Sequence, residues 1–216
     1  MEVVSMKSIS DYSDLIKLIP AECQSSIIKK AVWDRFNYDV KIKEVIFGSN
    51  EEVEISRADI FSEKDIKKKI VMILMWGYPS GGRGSNIQSV LTSIDDLVGL
   101  LSAAAGKNFG RTKANELFKE LGKIGGLGVS TWTKFLYFFK VSVDSNKCQI
   151  FDMKIVNSLN KKQFSELALN DIQEWRQNNE HYYRYIVFAD ELARDLGVSA
   201  EQVELFLFYF NLNYKF

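Results

Sequence analysis

The sequence predicts a mainly α-helical fold with a small β element near its N-terminus. Two observations carry this: beyond residue 60 apolar residues recur almost everywhere at helical spacing, and only 2 prolines occur in 216 residues. A third, an alternating apolar stretch bounded by turn residues, falls before residue 60. The chain is 46% hydrophobic and 26% charged, which excludes a disordered, collagen-like or disulfide-stapled protein. At this length roughly 70% of the unfolded surface can be buried, so the core needs no metal or disulfide. One domain, or two small lobes sharing a core, is the expected organisation, with residues 1–60 a mixed α/β segment and 61–216 a helical region.

Taken in order, Val40 to Phe47 and Val53 to Ser56 read as a hairpin joined by Gly48-Ser49-Asn50-Glu51. Ser62-Glu63-Lys64-Asp65 reads as a helix start, and Ile66, Ile70, Ile73 and Leu74 repeat at helical spacing as far as Trp76, with Lys67-Lys68-Lys69 on the solvated side. Gly77 and Pro79 stop that helix, and Tyr78 to Asn86 is a flexible loop holding Arg83 among glycines. Helices follow from Ile87, from Ser93, over Thr112 to Leu121, over Val129 to Lys140, over Asp152 to Asn160 and over Asp171 to Leu196. Ser199-Ala200-Glu201-Gln202 is a capping box, and Val203, Phe206, Leu207 and Phe210 form a buried stripe behind it.

Several classes are set aside by composition. The longest apolar run, Ile70 to Trp76, is far short of the roughly 20 residues that cross a bilayer, so no membrane partner is expected. The N-terminus lacks an apolar secretory core, which makes the cytoplasm the expected compartment. Cys23 and Cys148 have no CxxC spacing and read as reduced structural thiols. His181 is the single histidine, so neither a His-metal site nor a His-Asp-Ser triad is expected.

Charge is balanced overall, 28 basic against 28 acidic residues, but unevenly placed. Residues 107–162 carry eleven Lys or Arg against four acids, and residues 166–204 carry nine acids against three arginines. A neutral protein with one basic segment can present a phosphate-facing surface there and repel DNA elsewhere.

Leu121 to Ser130 holds four glycines within residues 122–128 and opens onto a helix from Val129. Gly126-Leu127-Gly128 permits a tight turn, and the free amides of the helix start suit an anion. The plain alternative is an αα-corner whose glycines only allow the bend. Beyond the second helix, Ile150-Phe151-Asp152 places a carboxylate before an amphipathic helix, where it reads most simply as an N-cap.

Ile124-Gly125-Gly126-Leu127-Gly128 resembles the hairpin of the helix-hairpin-helix DNA glycosylases, and Asp152 falls where that superfamily keeps its catalytic aspartate. The closer resemblance is to the bacterial 8-oxoguanine DNA glycosylase (OGG) fold proteins. It also rests on Thr133 to Phe138 and Val203 to Phe208, and covers positions 62 to 210. It implies a two-lobed helical fold with the helix-hairpin-helix at about 112–140, DNA as partner, a monomer, and no required cofactor, with a monovalent cation at the hairpin carbonyls as an option.

Carried over by position, the resemblance implies backbone contacts to phosphate from Gly126, Gly128 and Ser130, with Lys123 beside them. The bifunctional members keep a nucleophilic lysine two residues after the last hairpin glycine; here that residue is Ser130. Lys134 lies one helical turn further on the same face. A hydrolytic route is therefore expected, with Asp152 stabilising the sugar cation and activating water, and Lys134 the alternative nucleophile of a glycosylase/lyase. The base must be extruded from the duplex, and Trp76, Tyr78, Arg83, Trp132, Glu204 and Phe208 are the expected pocket residues. The excised base is a damaged one or a phage-modified one removed in antiviral defence. A protein of this fold that binds DNA or a modified base without cleaving it is the competing class.

Overall fold

The structure is a computed structural model that describes residues 8–160, 164 and 179–210. It is mainly helical with two small sheets. A short helix α1 (Ser13–Lys17) precedes strand β1 (Ser25–Lys29), helix α2 (Lys30–Trp33), helix α3 (Val40–Phe47) and strand β2 (Glu52–Ser56). β1 and β2 pair antiparallel, with Ser25 opposite Ser56 and Lys29 opposite Glu52.

The alternating stretch 40–47 is thus a helix, and β2 takes its partner from residues 25–29 instead. Asp39 decides this locally: its carboxylate accepts from the Lys41 amide at 2.9 Å and caps α3. Gly48, at φ +52°, ends the helix with its amide on the Glu44 carbonyl at 2.8 Å. The helix start expected at Ser62 also moves. Ser62 closes helix α4 (Arg57–Ser62), its hydroxyl on the Asp59 carbonyl, while Asp65 caps helix α5 (Ile66–Gly77) by accepting from the Lys68 amide at 2.7 Å.

Helices α6 (Asn86–Thr92) and α7 (Ile94–Ala104) follow, then strand β3 (Asn108–Phe109), helix α8 (Arg111–Gly122) and helix α9 (Val129–Phe138). Strands β4 (Ser142–Val143) and β5 (Asn146–Lys147) complete a second small sheet with β3, and helices α10 (Met153–Asn160), α11 (Asn179–Leu196) and α12 (Ala200–Phe210) finish the described chain. Of the helix expected over 171–196, residues 171–178 lie outside the described residues. Among the described residues no single helix is long and apolar enough to cross a membrane.

Helices α5 and α9 pack together at the centre, and α5 also touches α7 and β1. Every residue of α5 from Ile70 to Trp76 and of α9 from Thr131 to Phe138 is buried, so neither helix has a solvent-facing side inside these spans. Helices buried all round are core helices. The terminal helix is fastened last. The Ser199 hydroxyl accepts from the Gln202 amide at 3.2 Å and the Gln202 side chain accepts from the Ser199 amide at 2.9 Å, which is the expected capping box. Gln202 Nε2 then donates to the carbonyls closing α1, and Ser158 of α10 donates to the Leu207 carbonyl at 2.6 Å.

Candidate functional site

Five of the expected site residues, Trp76, Lys134, Asp152, Glu204 and Phe208, line one cavity of about 280 Å³. Its walls come from six places in the chain: Gln24 and Ser26 at β1, Arg57 at the start of α4, the end of α5, Lys134 of α9, the start of α10, and α12. A larger cavity of about 610 Å³ is lined by Phe61, Tyr137, Lys140 and Cys148 among others, and holds none of the expected residues.

Asp152 is placed by the segment before α10. The Phe151 amide donates to Thr133 Oγ1 at 3.1 Å, and the Phe151 ring stacks on Tyr185 at 4.9 Å. Asp152 Oδ1 accepts from the Lys154 amide at 2.9 Å and the Ile155 amide at 3.2 Å. One oxygen therefore caps the helix, and the other has no hydrogen bond among the described residues. The side chain is half-buried on the cavity wall, over the positive end of the α10 dipole.

Lys134 is 5% exposed, yet its Nζ has no carboxylate partner among the described residues. It reaches back one turn to donate to the Ser130 carbonyl at 2.8 Å and the Ser130 hydroxyl at 3.0 Å. The amine thus sits beside residue 130, although the lysine is at 134. Gly77 makes room: a Cβ there would lie 2.9 Å from Lys134 Cδ and 3.0 Å from Cε. Tyr78 flanks the amine, with its ring centroid 5.4 Å from Nζ and its hydroxyl 2.5 Å from Thr131 Oγ1.

At the far wall Arg57 and Glu204, each 1% exposed, form an ion pair at 2.7 Å. Arg57 also donates through Nε to Gln24 at 2.7 Å and through Nη1 to the Tyr137 hydroxyl at 3.0 Å, and lies 5.3 Å from the Trp76 ring centroid. Burial works against the guanidinium charge, but Glu204 and Tyr137 more than offset it, and the pKa of Arg57 is raised. Burial pushes Glu204 up, with Arg57 pulling against it. Glu204 Oε1 is buried and has no hydrogen-bond partner among the described residues. An acceptor left this way is costly unless a ligand fills it.

The other expected residues lie outside the cavity lining. Trp132 stacks on Phe118 at 4.6 Å and meets Tyr182 edge-on, in an aromatic cluster joining α8, α9 and α11. Arg83 is exposed on the loop after α5. That loop is held by Arg35, whose Nη2 donates to the Ser80 carbonyl at 2.9 Å and would lie 1.9 Å from a Cβ on Gly81. Lys123 is exposed and pairs with Glu120 at 2.6 Å. Gly126, at φ +80°, presses the turn between α8 and α9 onto α6, where a Cβ would meet the Asn86 carbonyl at 2.3 Å. Gly128 is extended, faces open space, and leaves α9 without a side-chain cap. Ser130 touches the cavity only through Lys134.

Arg57, Gln24 and Lys154 are cavity residues that the sequence reading did not single out. Arg57 follows a capping box at Ser56 and Asp59, which marks a helix start but gives no sign of burial. Lys154 stands two residues after Asp152 in an amphipathic helix, a spacing that could have marked it.

In this helical fold an acid, an amine and aromatic side chains converge on one cavity. Residues 20–208 match the family model described as "Putative 8-oxoguanine DNA glycosylase OGG-like protein", and the chain belongs to this OGG-like family. The matched span includes every residue that lines the cavity. Membership supports a DNA glycosylase-type function with DNA as the substrate. No curated protein and no solved structure matches the chain significantly.

Proposed function

We propose that the protein is a DNA N-glycosylase that takes a damaged or modified base, flipped out of the duplex, into the cavity between α5, α10 and α12. The observation that carries the reading is Asp152. One of its oxygens fixes the side chain to α10, and the other, on the wall of a cavity of about 280 Å³, has no hydrogen-bond partner among the described residues. As the base departs with the glycosidic electron pair, positive charge grows on the sugar; a preorganised carboxylate stabilises that state more than the ground state. Water then adds to C1′ and gives a proton to Asp152, which leaves an abasic site; the departing base takes up one proton, so that H and OH of water end on base and sugar.

Trp76 and Phe208 supply aromatic surface for the base, and Glu204 Oε1 supplies an acceptor for one of its N–H groups. Tyr78, beside Lys134, and Arg83, exposed on the loop after α5, would reach the nucleotide from outside the cavity lining. In this reading the uncapped start of α9, with the backbone of Gly126, Gly128 and Ser130, receives a backbone phosphate of the DNA, with a monovalent cation at the turn carbonyls as an accessory. A base carrying a phage modification, removed in defence, is one substrate class to be screened beside oxidised, alkylated and deaminated bases. Asp152→Asn keeps the cap, so it should abolish base release and retain DNA binding; unchanged release by that variant would overturn the assignment.

The burial of Lys134 favours a second reading of the chemical step. Its amine lies beside residue 130 with two neutral acceptors as partners. Attack of the Lys134 amine on C1′ would expel the base with the glycosidic pair, and ring opening with loss of the amine protons would give an imine. Borohydride would trap this as a covalent protein–DNA adduct, lost in Lys134→Ala; absence of any adduct leaves the water route.

A further inference from the structure

The larger cavity, of about 610 Å³, has no part in the glycosylase reading, and the charges on its walls do not pair with one another. Glu22, Glu201, Lys140 and Lys147 all line it. None of the four forms an ion pair among the described residues. The two acids come from elements that touch each other, Glu22 from the 3-10 turn Ala21–Cys23 and Glu201 from the first turn of α12. The two lysines come from another part of the lining, Lys140 just beyond α9 and Lys147 on β5, paired across the ribbon with the lining residue Ser142. Lys69 of α5 adds to the positive side: burial, and then the nearby Lys140 charge, lower its pKa.

Lys140 is held in place at a conformational cost. Helix α9 closes with the Lys140 amide on the Tyr137 carbonyl and the Val141 amide on the Leu136 carbonyl, each at 2.9 Å. This closure puts Lys140 at φ +54°, left-handed backbone that favours glycine. Its ammonium stands 5.4 Å from the Phe61 ring centroid. Phe61 and Tyr137 line the cavity too, and the Tyr137 hydroxyl is already taken by Arg57, which leaves the pair to supply aromatic surface.

An ammonium only donates and a carboxylate only accepts, so a ligand that satisfies this lining carries an anionic group and, apart from it, N–H donors. Aromatic walls add a preference for a flat ring system. At about 610 Å³ the space falls within the roughly 300–1,000 Å³ of small-molecule sites. Among the four DNA bases, guanine alone sets two adjacent N–H donors toward one carboxylate; adenine would bring a lone pair against it.

We propose that this cavity is a second ligand site that takes a guanine nucleotide, with its phosphate on Lys140 and Lys147, its base against Phe61 and Tyr137, and its N–H donors on Glu201, the less exposed of the two acids. The site does not include Asp152, and the proposal stands whether or not the protein cleaves DNA.

The test is titration calorimetry of the full chain with guanosine monophosphate, adenosine monophosphate and inorganic phosphate at constant ionic strength. Saturable binding of the guanosine nucleotide is expected, with the adenosine nucleotide about tenfold or more weaker, because its lone pair meets the carboxylate. Phosphate alone should be weaker than either. Lys140→Gly removes the ammonium and relieves the left-handed backbone, so without ligand it should melt above the wild type, yet bind the guanosine nucleotide about tenfold more weakly. Glu201→Gln, which offers a donor beside an acceptor, should bring the two nucleotides to similar affinity. If Lys140→Gly does not fold, Lys147→Met carries the same loss of binding. Absence of saturable binding up to about 1 mM overturns the proposal, as does wild-type affinity in Lys140→Gly and Lys147→Met. Phosphate bound as tightly as the guanosine nucleotide would make this an anion site only and overturn the nucleotide assignment. A loss confined to Glu204→Gln would put the nucleotide in the smaller cavity and overturn it as well.

Discussion

Single side chains in this cavity are under opposite demands, and the Arg57–Glu204 pair shows it most plainly. Both are 1% exposed, so removing one strands the other's charge out of water. Glu204→Ala is expected to cost about 3–5 kcal/mol in urea unfolding, the magnitude for breaking a buried pair from one side. The isosteric Glu204→Gln keeps the shape and should fold better, separating recognition from stability. Gly77 is the reverse case. Gly77→Ala adds a methyl group only where Lys134 Cδ and Cε now lie, at 2.9 and 3.0 Å. The flexible lysine must give way, so stability should change by less than about 1 kcal/mol, while any Lys134-dependent adduct with DNA should fall sharply. Full adduct yield from Gly77→Ala would show that the position of the amine beside Ser130 is immaterial.

At the scale of elements, the turn between α8 and α9 divides its glycines by job. Gly126 combines φ +80° with backbone contact to Asn86, so Gly126→Ala should destabilise by about 1–3 kcal/mol or more, with loss of DNA binding as the turn lifts from α6. Gly128 is extended with nothing near a new Cβ, and Gly128→Ala should unfold within about 1 kcal/mol of wild type. Paired denaturation curves decide both. The glycines themselves stand out in the sequence; which one meets another helix does not, because Asn86 is forty residues away. The same contrast runs through the fold. The capping box at Ser199 was legible because all its partners lie within four residues. The stretch 40–47 was not, because its alternation of apolar and charged residues is too short to separate a strand from a helix, and the Asp39 cap with the positive φ of Gly48 decides it. Asp152 was readable as a cap, which it is, whereas the 147-residue separation of Arg57 from Glu204 hid the pairing altogether. Trp132, expected at the base, packs in the core because its neighbours Phe118 and Tyr182 arrive from other helices.

For the molecule as a whole, the buried titratable groups set its tolerance of alkali. Cys148 is 2% exposed, and burial pushes its thiol from 9.0 up to about 12, with Tyr182 working the other way. Between these values the folded protein retains a proton that the unfolded chain has released. Stability is therefore full below about pH 9 and falls as pH rises through the window, with a slope approaching 1.4 kcal/mol per pH unit for this group. Urea midpoints at about pH 8 and pH 10.5 should converge in Cys148→Ala relative to wild type; an identical alkaline loss in both proteins would place the effect elsewhere.

The cavity also draws its walls from residues 24 to 208, and its final side is α12. A ribosome therefore releases Arg57, Lys134 and Asp152 long before it delivers Glu204 and Phe208. Until then Arg57 lacks its Glu204 partner and the cavity lacks its α12 wall. The emerging polypeptide can collapse around α5 and α9 before this cavity is enclosed, because its final wall arrives only with α12.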